Sequence, residues 1–409
     1  MRVLTFGWDY PPHTTGGLGM ACFALTEALV RDDIEVIFVL PRRQPVLGSN
    51  QFIFADKSDM SVRVRYVHSS LLPYQNASTM VEVYDADGKK VLYTSSIIEQ
   101  VHQYANQVAR IAQEEDFDII HAHDWTSYCA GIMAKKIKNK PLIVHTHATA
   151  YDQAGGDHAD PQVYAIEKEG FETADAIIAV SNFTKDLIVR KYHISPDKVT
   201  VIHNGCDTDE PVRHRPTLTE LKAQGKKLVL YHGRITIQKG VDYFIKAARK
   251  VVEYDPHVIF IISGKGDMEA QIMRQVGEMG LSEHVIFAGA LWYDERDQMY
   301  QSVDLVVMPS VSEPFGLVPL EAMRHGTPAL ISKQSGVSEV VTHVLKVDFW
   351  DVDQMANKIL AALRYPALHQ QLRKEGRNEI NRLSWNGVAS KVRALYQHLL
   401  RMIRNRSKQ

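Results

Sequence analysis

The sequence contains little cysteine, no excess of charge of either sign and no long apolar run. Its 409 residues include three cysteines, Cys22, Cys129 and Cys206, which are too few and too far apart for a disulfide framework or a four-ligand zinc site. No apolar stretch approaches the roughly 18 residues of a membrane span, and the first residues lack the pattern of a signal peptide. We therefore expect a cytoplasmic protein without a transmembrane segment, for which peripheral membrane contact is the less favoured alternative.

The charge balance excludes further classes of protein. There are 47 basic and 48 acidic residues, which give a net charge of −1, so no global field attracts the chain to nucleic acid. Apolar residues make up 45% of the chain, with 24 glycines and 16 prolines, and this composition excludes disordered and collagen-like chains. At roughly 150 residues per domain, the length predicts two or three domains.

Short apolar segments alternate with amphipathic ones, which predicts strands and helices that form parallel sheets. In the first half the predicted strands are 2–6, 35–40, 119–121, 142–145, 176–180 and 199–202. The region 44–95 breaks this rhythm. Residues 62–67 alternate with period two and residues 84–89 are typical of a hairpin turn, so we expect an antiparallel insertion or edge there.

A polar segment at 206–227 predicts a linker, after which the alternation resumes. The predicted strands of the second half are 228–232, 258–263, 285–288, 305–308 and 329–332, with helices at 240–252, 268–278, 295–302 and 316–325. The sequence therefore predicts an α/β protein with two Rossmann-type sheets. In open parallel sheets ligands bind beyond the carboxyl ends of the strands.

In each predicted sheet, a glycine-containing turn follows the first strand. Residues Gly16, Gly17 and Leu18 precede a helix, where they form either a tight turn or a site for an anion. Arg234 and Lys239 flank the equivalent turn in the second half. These two cations suit a diphosphate, although a solvated basic turn is the simpler alternative.

Two carboxylates lie eight residues apart, Glu313 in a loop and Glu321 about two turns into the predicted helix 316–325. Either can accept hydrogen bonds from sugar hydroxyls. The alternative is that Glu313 caps the helix and Glu321 lies on its surface.

Histidines cluster after two strands of the first half: His121, His123 and Asp124 after one, His145 and His147 after the next. They offer sugar recognition, metal ligation or simple local hydrogen bonds. No His-x3-His spacing on one helix supports a metal, so we expect no metal site.

Taken in order, the segments WDYPPHTTGGLG, HAHDW, HTHATAY, HGRITIQKG and PSVSEPFGLVPLEAM resemble the retaining GT-B glycosyltransferases that include glycogen, starch and sucrose synthases. The resemblance implies two Rossmann-like domains that face a central cleft. Residues 1–208 would form the acceptor-side domain, joined by a C-terminal helix at about 386–409 that crosses back. Residues 209–385 would form the nucleotide-sugar domain.

The resemblance also implies a reaction. A hexose, with glucose the first expectation, moves from ADP- or UDP-glucose to an acceptor hydroxyl such as that of an α-glucan, with retention and without a metal or other cofactor. A small sugar or a lipid-linked molecule as acceptor, and a GT-B sugar-nucleotide epimerase, are the alternatives.

The resemblance assigns a role to each matched residue. Arg234 and Lys239 would hold the diphosphate, Glu313 the donor sugar hydroxyls, and His147 the reacting centre. The other donor contacts would be Gly16, Gly17, Leu18, Gly264, Trp292, Tyr293, Phe315, Gly316, Leu317 and Glu321, and the acceptor side would hold His123 and Asp124.

The chain departs from bacterial glycogen synthases at two places. Thr15 stands where they carry a lysine, and residues 335–338 read Ser-Gly-Val-Ser in place of Thr-Gly-Gly-Leu. ADP-glucose as donor and elongation of a glucan both stay open.

Overall fold

The computed structural model describes residues 1–11, 17–41, 63–66, 81–84, 90–93, 96–206, 216–291 and 293–406. The chain divides into two compact units. Unit 1 comprises Met1–Ala150, Ala159–Ile202 and Trp385–Gln409, and unit 2 comprises Tyr151–His158 and His203–Ser384. The sequence did not indicate that a short segment before residue 159 clusters with the second unit.

The elements of the first half are β1 Arg2–Phe6, α1 Gly17–Arg31, β2 Glu35–Leu40, β3 Arg63–Tyr66, β4 Val81–Tyr84, β5 Lys90–Tyr93, α2 Ile97–Glu114, β6 Ile119–His123, α3 Trp125–Lys138, β7 Leu142–Thr146, α4 Ala150–Ala154, α5 Pro161–Thr173, β8 Ala176–Ala179, α6 Asn182–Tyr192 and β9 Val199–Val201.

The elements of the second half are α7 Pro216–Ala223, β10 Lys227–His232, α8 Val241–Tyr254, β11 Val258–Ser263, α9 Glu269–Glu278, β12 Val285–Gly289, α10 Tyr293–Ser302, β13 Leu305–Met308, α11 Val318–Arg324, β14 Ala329–Ser332, β15 Leu345–Val347, α12 Val352–Arg364, α13 Pro366–Ile380 and α14 Trp385–Arg406.

Unit 1 is built on a parallel sheet of seven strands in the order β3-β2-β1-β6-β7-β8-β9. Strands β6 and β7 are buried along their whole length, which is why they read as continuous apolar runs rather than alternating ones. Their register places His123 directly opposite His145. The order reverses between β1 and β6, and such a switch point is where open α/β sheets bind ligands.

Unit 2 is built on a six-stranded parallel sheet in the order β12-β11-β10-β13-β14-β15. Successive residues of β10 enter two different cores: Val229 and Tyr231 pack with Phe244 of α8, while Leu228 and Leu230 pack with Tyr300 of α10. Helices therefore cover both faces, and the switch point lies between β10 and β13. The predicted α/β class with two Rossmann-like sheets is confirmed.

Helix α14 packs within unit 1 although it follows unit 2 in the chain. Arg393 forms an ion pair of 2.6 Å with Asp32, and the Tyr396 hydroxyl lies 2.6 Å from Nδ1 of His121. Val392 and Tyr396 have no exposed surface. Among the described residues, no helix combines the length and apolarity that crossing a membrane requires.

Three predictions about local structure were wrong. Strand β3, expected to be antiparallel, pairs with β2 in parallel, because alternation of residues gives the exposed face and not the direction of a strand. The predicted linker 206–227 contains helix α7. Helix α11 begins at Val318 rather than at residue 316, so Glu321 lies in its first turn. The predicted hairpin is confirmed, since β4 and β5 pair antiparallel; its turn at 85–89 lies outside the described residues.

Candidate functional site

In unit 2 the loops after β10 and β13 meet through a partly buried ion pair. Nζ of Lys239 lies 2.6 Å from Oε2 of Glu313, and their side chains are 20% and 9% exposed. The same carboxylate oxygen accepts a hydrogen bond of 2.9 Å from the hydroxyl of Ser310. A lysine and a glutamate 74 residues apart in the chain thus form one polar group at the carboxyl edge of the sheet.

Gln238 fixes the spacing between these two loops. Its side-chain amide donates to the carbonyl of Ser312 at 3.1 Å, and its own carbonyl accepts from the amide of Val311 at 2.9 Å. Its side-chain oxygen also accepts from Arg234 at 3.3 Å. Arg234, Lys239 and Glu313 are therefore brought together, while Gln238 and Ser310 are neighbours that the sequence reasoning missed. The signal for Ser310 was its place within the PSVSEPFG segment.

Glycines allow two loops of unit 2 to touch backbone to backbone. Gly264 has φ +140°, and a Cβ built on it would lie 1.8 Å from the carbonyl oxygen of Gly233. The amide of Ile235 donates to the carbonyl of Lys265 at 2.9 Å. The turn after β11 is thus held against the turn that carries Arg234. An alanine at Gly264 would force these two turns apart.

Glu321 is held by two partners from α10. Its Oε2 accepts from the Tyr300 hydroxyl at 2.8 Å, and its Oε1 lies 3.2 Å from Nη1 of Arg296. A carboxylate can accept about four hydrogen bonds, so both oxygens keep capacity for a ligand hydroxyl. Sequence reasoning missed Arg296 and Tyr300, because only the fold brings α10 beside α11.

Phe315, Gly316 and Leu317 form the turn between Glu313 and α11. Phe315 is buried and its carbonyl accepts from the amide of Val337 at 2.7 Å. Gly316 has φ +102°, and Leu317 is the N-cap residue of α11. Two predicted donor contacts of this unit remain. Trp292 lies outside the described residues, and for Tyr293 only the backbone, at the start of α10, is described.

His232, at the end of β10, is a titratable group of this region that the sequence reasoning passed over. Its Nδ1 lies 3.1 Å from the hydroxyl oxygen of Ser263, and its ring meets the edge of Tyr300. The pKa of His232 is lowered to about 4, mainly by burial; the charge of Glu321 opposes this shift and that of Arg296 adds to it. The ring is therefore neutral at physiological pH.

In unit 1 four histidines form one stack at the carboxyl ends of β6 and β7. His123 Nδ1 lies 3.0 Å from His147 Nε2, and His121 Nε2 lies 3.3 Å from His145 Nδ1. Burial lowers the pKa of His147 to about 3 and that of His121 to about 3, so these rings are neutral and each pair shares one N–H.

Asp124 joins the two histidine loops. Its φ is +58°, which is uncommon for a residue other than glycine, and its Oδ1 accepts from the amides of His147 at 2.6 Å and Ala148 at 3.3 Å. Its own amide donates to the carbonyl of His145 at 2.9 Å. Asp124 thus fixes the backbone of His147 beside His123.

At the start of α1, Gly17 is exposed and Leu18 partly exposed, which leaves this helix end accessible. Gly16 and Thr15 lie outside the described residues. One turn further along, α1 carries Cys22, which is fully buried. Among the described residues two groups of three side chains have ligand atoms within 4.8 Å of one another, Cys22 with His123 and His147, and His121 with His123 and His145.

Two family models match successive parts of the chain. The model of the Glycosyltransferase Family 4 matches residues 15–210, and the model of the Glycosyl transferases group 1 matches residues 219–379. Together they cover most of each unit and every predicted site residue.

Relatives match over nearly the whole chain. An uncharacterized glycosyltransferase of Methanocaldococcus jannaschii is 28% identical and is aligned over 98% of this chain and 100% of its own. A glycogen synthase of Mycobacterium tuberculosis is 25% identical over 97% of this chain and 94% of its own. The structure of sucrose-phosphate synthase from Thermosynechococcus elongatus superposes with a TM-score of 0.76 at 22% identity, covering 98% and 99% of the two chains.

Proposed function

Because this chain belongs to the glycosyltransferases of the GT-B fold, we propose that it moves a hexose, with glucose the first candidate, from a nucleoside diphosphate sugar to an acceptor hydroxyl. In this proposal the anomeric configuration of the sugar is retained. The observation that carries it is the Lys239–Glu313 ion pair beside Arg234, at the switch point of the unit 2 sheet.

The two cations suit the leaving diphosphate. Arg234 can hold phosphate oxygens through two N–H groups, and Lys239 supplies a point charge. As the bond between the sugar and phosphate breaks, negative charge grows on the phosphate oxygen, and fixed cations at that position lower the barrier. Glu313, fixed by Lys239 and Ser310, accepts hydrogen bonds from the hydroxyls of the donor sugar.

The reaction proposed for this site needs no nucleophile from the protein. The acceptor oxygen attacks the anomeric carbon from the face that the phosphate leaves, a carbon–oxygen bond forms as the sugar–phosphate bond breaks, and the acceptor's proton passes to the departing phosphate oxygen. The sugar therefore keeps its configuration without the paired carboxylates of retaining hydrolases. No metal ion enters this scheme.

The ribose and base of the donor have matching groups in unit 2. Glu321, oriented by Tyr300 and Arg296, accepts the ribose hydroxyls. The Gly264 turn lies against the Arg234 turn and offers backbone to the base. Phe315, Gly316 and Leu317 supply backbone groups to the sugar or phosphate.

Unit 1 supplies the accessible start of α1 and the histidine stack. Gly17 and Leu18 offer backbone to the diphosphate. His147 is neutral and its Nε2 is paired with His123, so the other ring nitrogen is left to form one hydrogen bond at the reacting centre. His123 and Asp124 belong to the acceptor side, and Asp124 also positions His147.

An α-glucan is the acceptor we propose first, since the relative named glycogen synthase matches nearly the whole chain. Small sugars and lipid-linked acceptors are the alternatives to be tested beside it. Residues 335–338 replace the Thr-Gly-Gly-Leu of bacterial glycogen synthases. They form the N-cap and first residues of a 3-10 helix, Gly336–Glu339, and the Gly336 amide donates to the carbonyl of Glu313. This turn is therefore where donor or acceptor preference would change.

The test is a panel of ADP-, UDP- and GDP-glucose, each with glycogen, with maltose and without acceptor. Nucleotide release and the anomeric configuration of the product are measured. We expect one donor to be preferred, acceptor-dependent release and an α-linked product. Release with inversion, or conversion of the donor to an epimer without acceptor, would overturn the proposal.

A further inference from the structure

The histidine stack of unit 1 is the molecule's densest group of metal-ligating side chains among the described residues. Two His-x-His segments lie on neighbouring parallel strands, and His123 faces His145 across the register. The ring centres of His145 and His147 are 4.3 Å apart. Nε2 of the buried His145 has no hydrogen-bond partner. The proposed transfer reaction gives roles to His123 and His147 and leaves His121 and His145 without one.

Helix α1 adds a thiol to this group. A ligand atom of Cys22 and one each of His123 and His147 all lie within 4.8 Å of one another. In a tetrahedral zinc site, metal–nitrogen bonds of about 2.0–2.1 Å place two nitrogens about 3.3 Å apart. The nitrogens of His123 and His147 are 3.0 Å apart, so an ion would need to separate them by only a few tenths of an ångström.

We propose that Cys22, His123 and His147 form an inhibitory binding site for a divalent ion of the zinc class. One sulfur and two imidazole nitrogens are the donors that Zn²⁺ prefers, whereas Mg²⁺ and Ca²⁺ need oxygen. His147 is partly exposed while Cys22 and His123 are buried, so the ion enters past His147. Three protein ligands leave the fourth position to water or a substrate hydroxyl.

Binding follows a balanced proton exchange. The Cys22 thiol loses its proton to solvent and the sulfur binds the ion as thiolate. The ring that donates the N–H between His123 and His147 shifts that proton to its other ring nitrogen, and the partner ring keeps its own N–H on the nitrogen that faces away from the ion, so both imidazoles stay neutral. One proton is released for each ion, and affinity therefore rises with pH.

The inhibition rests on the proposed function, because it requires that His147 act at the reacting centre. An ion bound to Nε2 of His147, the nitrogen that faces His123, fixes the orientation and the tautomer of the ring that would contact the sugar. Zinc should then lower the transfer rate, and a chelator should restore it.

The first experiment measures binding of the metal alone to the full chain without any sugar nucleotide. Co²⁺ replaces Zn²⁺ as a visible probe, and a thiolate ligand adds a charge-transfer absorption in the near ultraviolet. We expect one equivalent, the absorption of a tetrahedral ion, and loss of the charge-transfer band in Cys22→Ser. The affinity of that variant for Zn²⁺ should fall at least about 10- to 100-fold.

Cys129→Ser is the matched control, since Cys129 is a free thiol of α3 that lies in neither ligand group. It should keep both the band and the affinity. His147→Gln, at a partly exposed position, provides a second ligand variant should Cys22→Ser fold poorly, and it should weaken binding as strongly.

Absence of stoichiometric binding would overturn the proposal. Tetrahedral Co²⁺ binding that is unchanged in both Cys22→Ser and His147→Gln would also overturn it, because the ion would then lie on His121, His123 and His145. Inactivity in the donor panel would contradict the proposed function and not the metal site. Tight binding of zinc without a lower transfer rate would overturn the inhibitory role of the site.

Discussion

Single side chains in this protein carry their chemistry through their partners. Lys239 and Glu313 hold each other at 2.6 Å with Ser310 on the same oxygen, and Asp124 holds the backbone of His147. Removing one member of a nearly buried ion pair leaves an uncompensated charge. The effect of a substitution at one of these positions therefore reports on the group rather than on one residue.

We expect Lys239→Ala and Glu313→Gln each to lower kcat by about 10²- to 10³-fold, because each removes a fixed charge or its orienting partner at the leaving group. In the double variant kcat should fall far less than the product of the two single fold-losses, since the residues act as a unit. Steady-state kinetics with the preferred donor measures this.

Lys246→Ala is the control for this cycle, as Lys246 pairs with Asp242 on the surface of α8. Its kcat should be unchanged. Strict multiplicativity of the two active-site variants would contradict the pairing as a functional unit.

His232 makes stability depend on pH. Its pKa is lowered from 6.5 to about 4 in the folded protein, so below pH 6.5 the unfolded chain binds a proton that the native chain does not. The free energy of unfolding therefore falls as the pH falls from 6.5 to 4, by at most about 3 kcal/mol for this residue. Below pH 4 both states bind the proton and this contribution stays constant.

Denaturant unfolding at pH 7 and pH 4.5 measures this effect. In His232→Gln the difference in unfolding free energy between the two pH values should shrink. The part of that difference that comes from the histidines of unit 1 should remain. His257→Gln, at an exposed position on the loop before β11, should leave the difference as it is. An equal slope in wild type and His232→Gln would refute the assignment.

At the scale of elements, the charged side chains of the site lie on turns, and the ends of the strands determine where those turns lie. Gly240 joins the 3-10 turn of Lys239 to α8 with φ +65°, and a Cβ built there would lie 2.2 Å from the carbonyl oxygen of Pro309. The loops after β10 and β13 therefore approach each other only because this position has no side chain.

Gly240→Ala should lower the free energy of unfolding by roughly 2–4 kcal/mol, from the left-handed backbone and the clash together. It should also lower kcat, because the turn that carries Lys239 must move. Gly277→Ala is the matched change on the exposed face of α9, where a Cβ meets nothing within 4 Å. In that variant the free energy of unfolding should rise by roughly 0.5–1 kcal/mol. Chemical denaturation compares the two, and equal effects would contradict the close approach.

The same scale shows what could be predicted from sequence. Continuous apolar runs placed strands such as β11 and β13 at their observed bounds, because a strand buried on both faces leaves an unmistakable local pattern. The partners of Glu321 and the approach of Cys22 to His147 were not predictable, since they depend on which helices lie side by side. Periodicity also gave no strand direction for β3.

At the scale of the whole molecule, each unit has its own core. Unit 1 includes α14, whose Val392 and Tyr396 are fully buried, while two core clusters of unit 2 are built from residues 218–362. Separate cores allow the units to lose structure independently.

Val392→Asp places a charge in the unit 1 core and should lower the free energy of unfolding of that unit by roughly 3–5 kcal/mol. Hydrogen exchange followed by mass spectrometry should show faster exchange in β1, β6 and α1, with β10 and β13 unchanged. Lys391→Asp, on the exposed neighbouring position, should leave exchange in both units as in wild type. Equal loss of protection in the two units would contradict separate cores.

The place of α14 also has a consequence for synthesis. Unit 1 contains the first 150 residues but needs Trp385–Arg406 to cover its core, so it cannot finish folding on the ribosome when its own strands emerge. At about 5–20 residues per second, the intervening 182 residues of His203–Ser384 take on the order of ten to forty seconds to make. During that time the apolar face that α14 will cover stays exposed in the nascent chain, and unit 2 can complete its fold first.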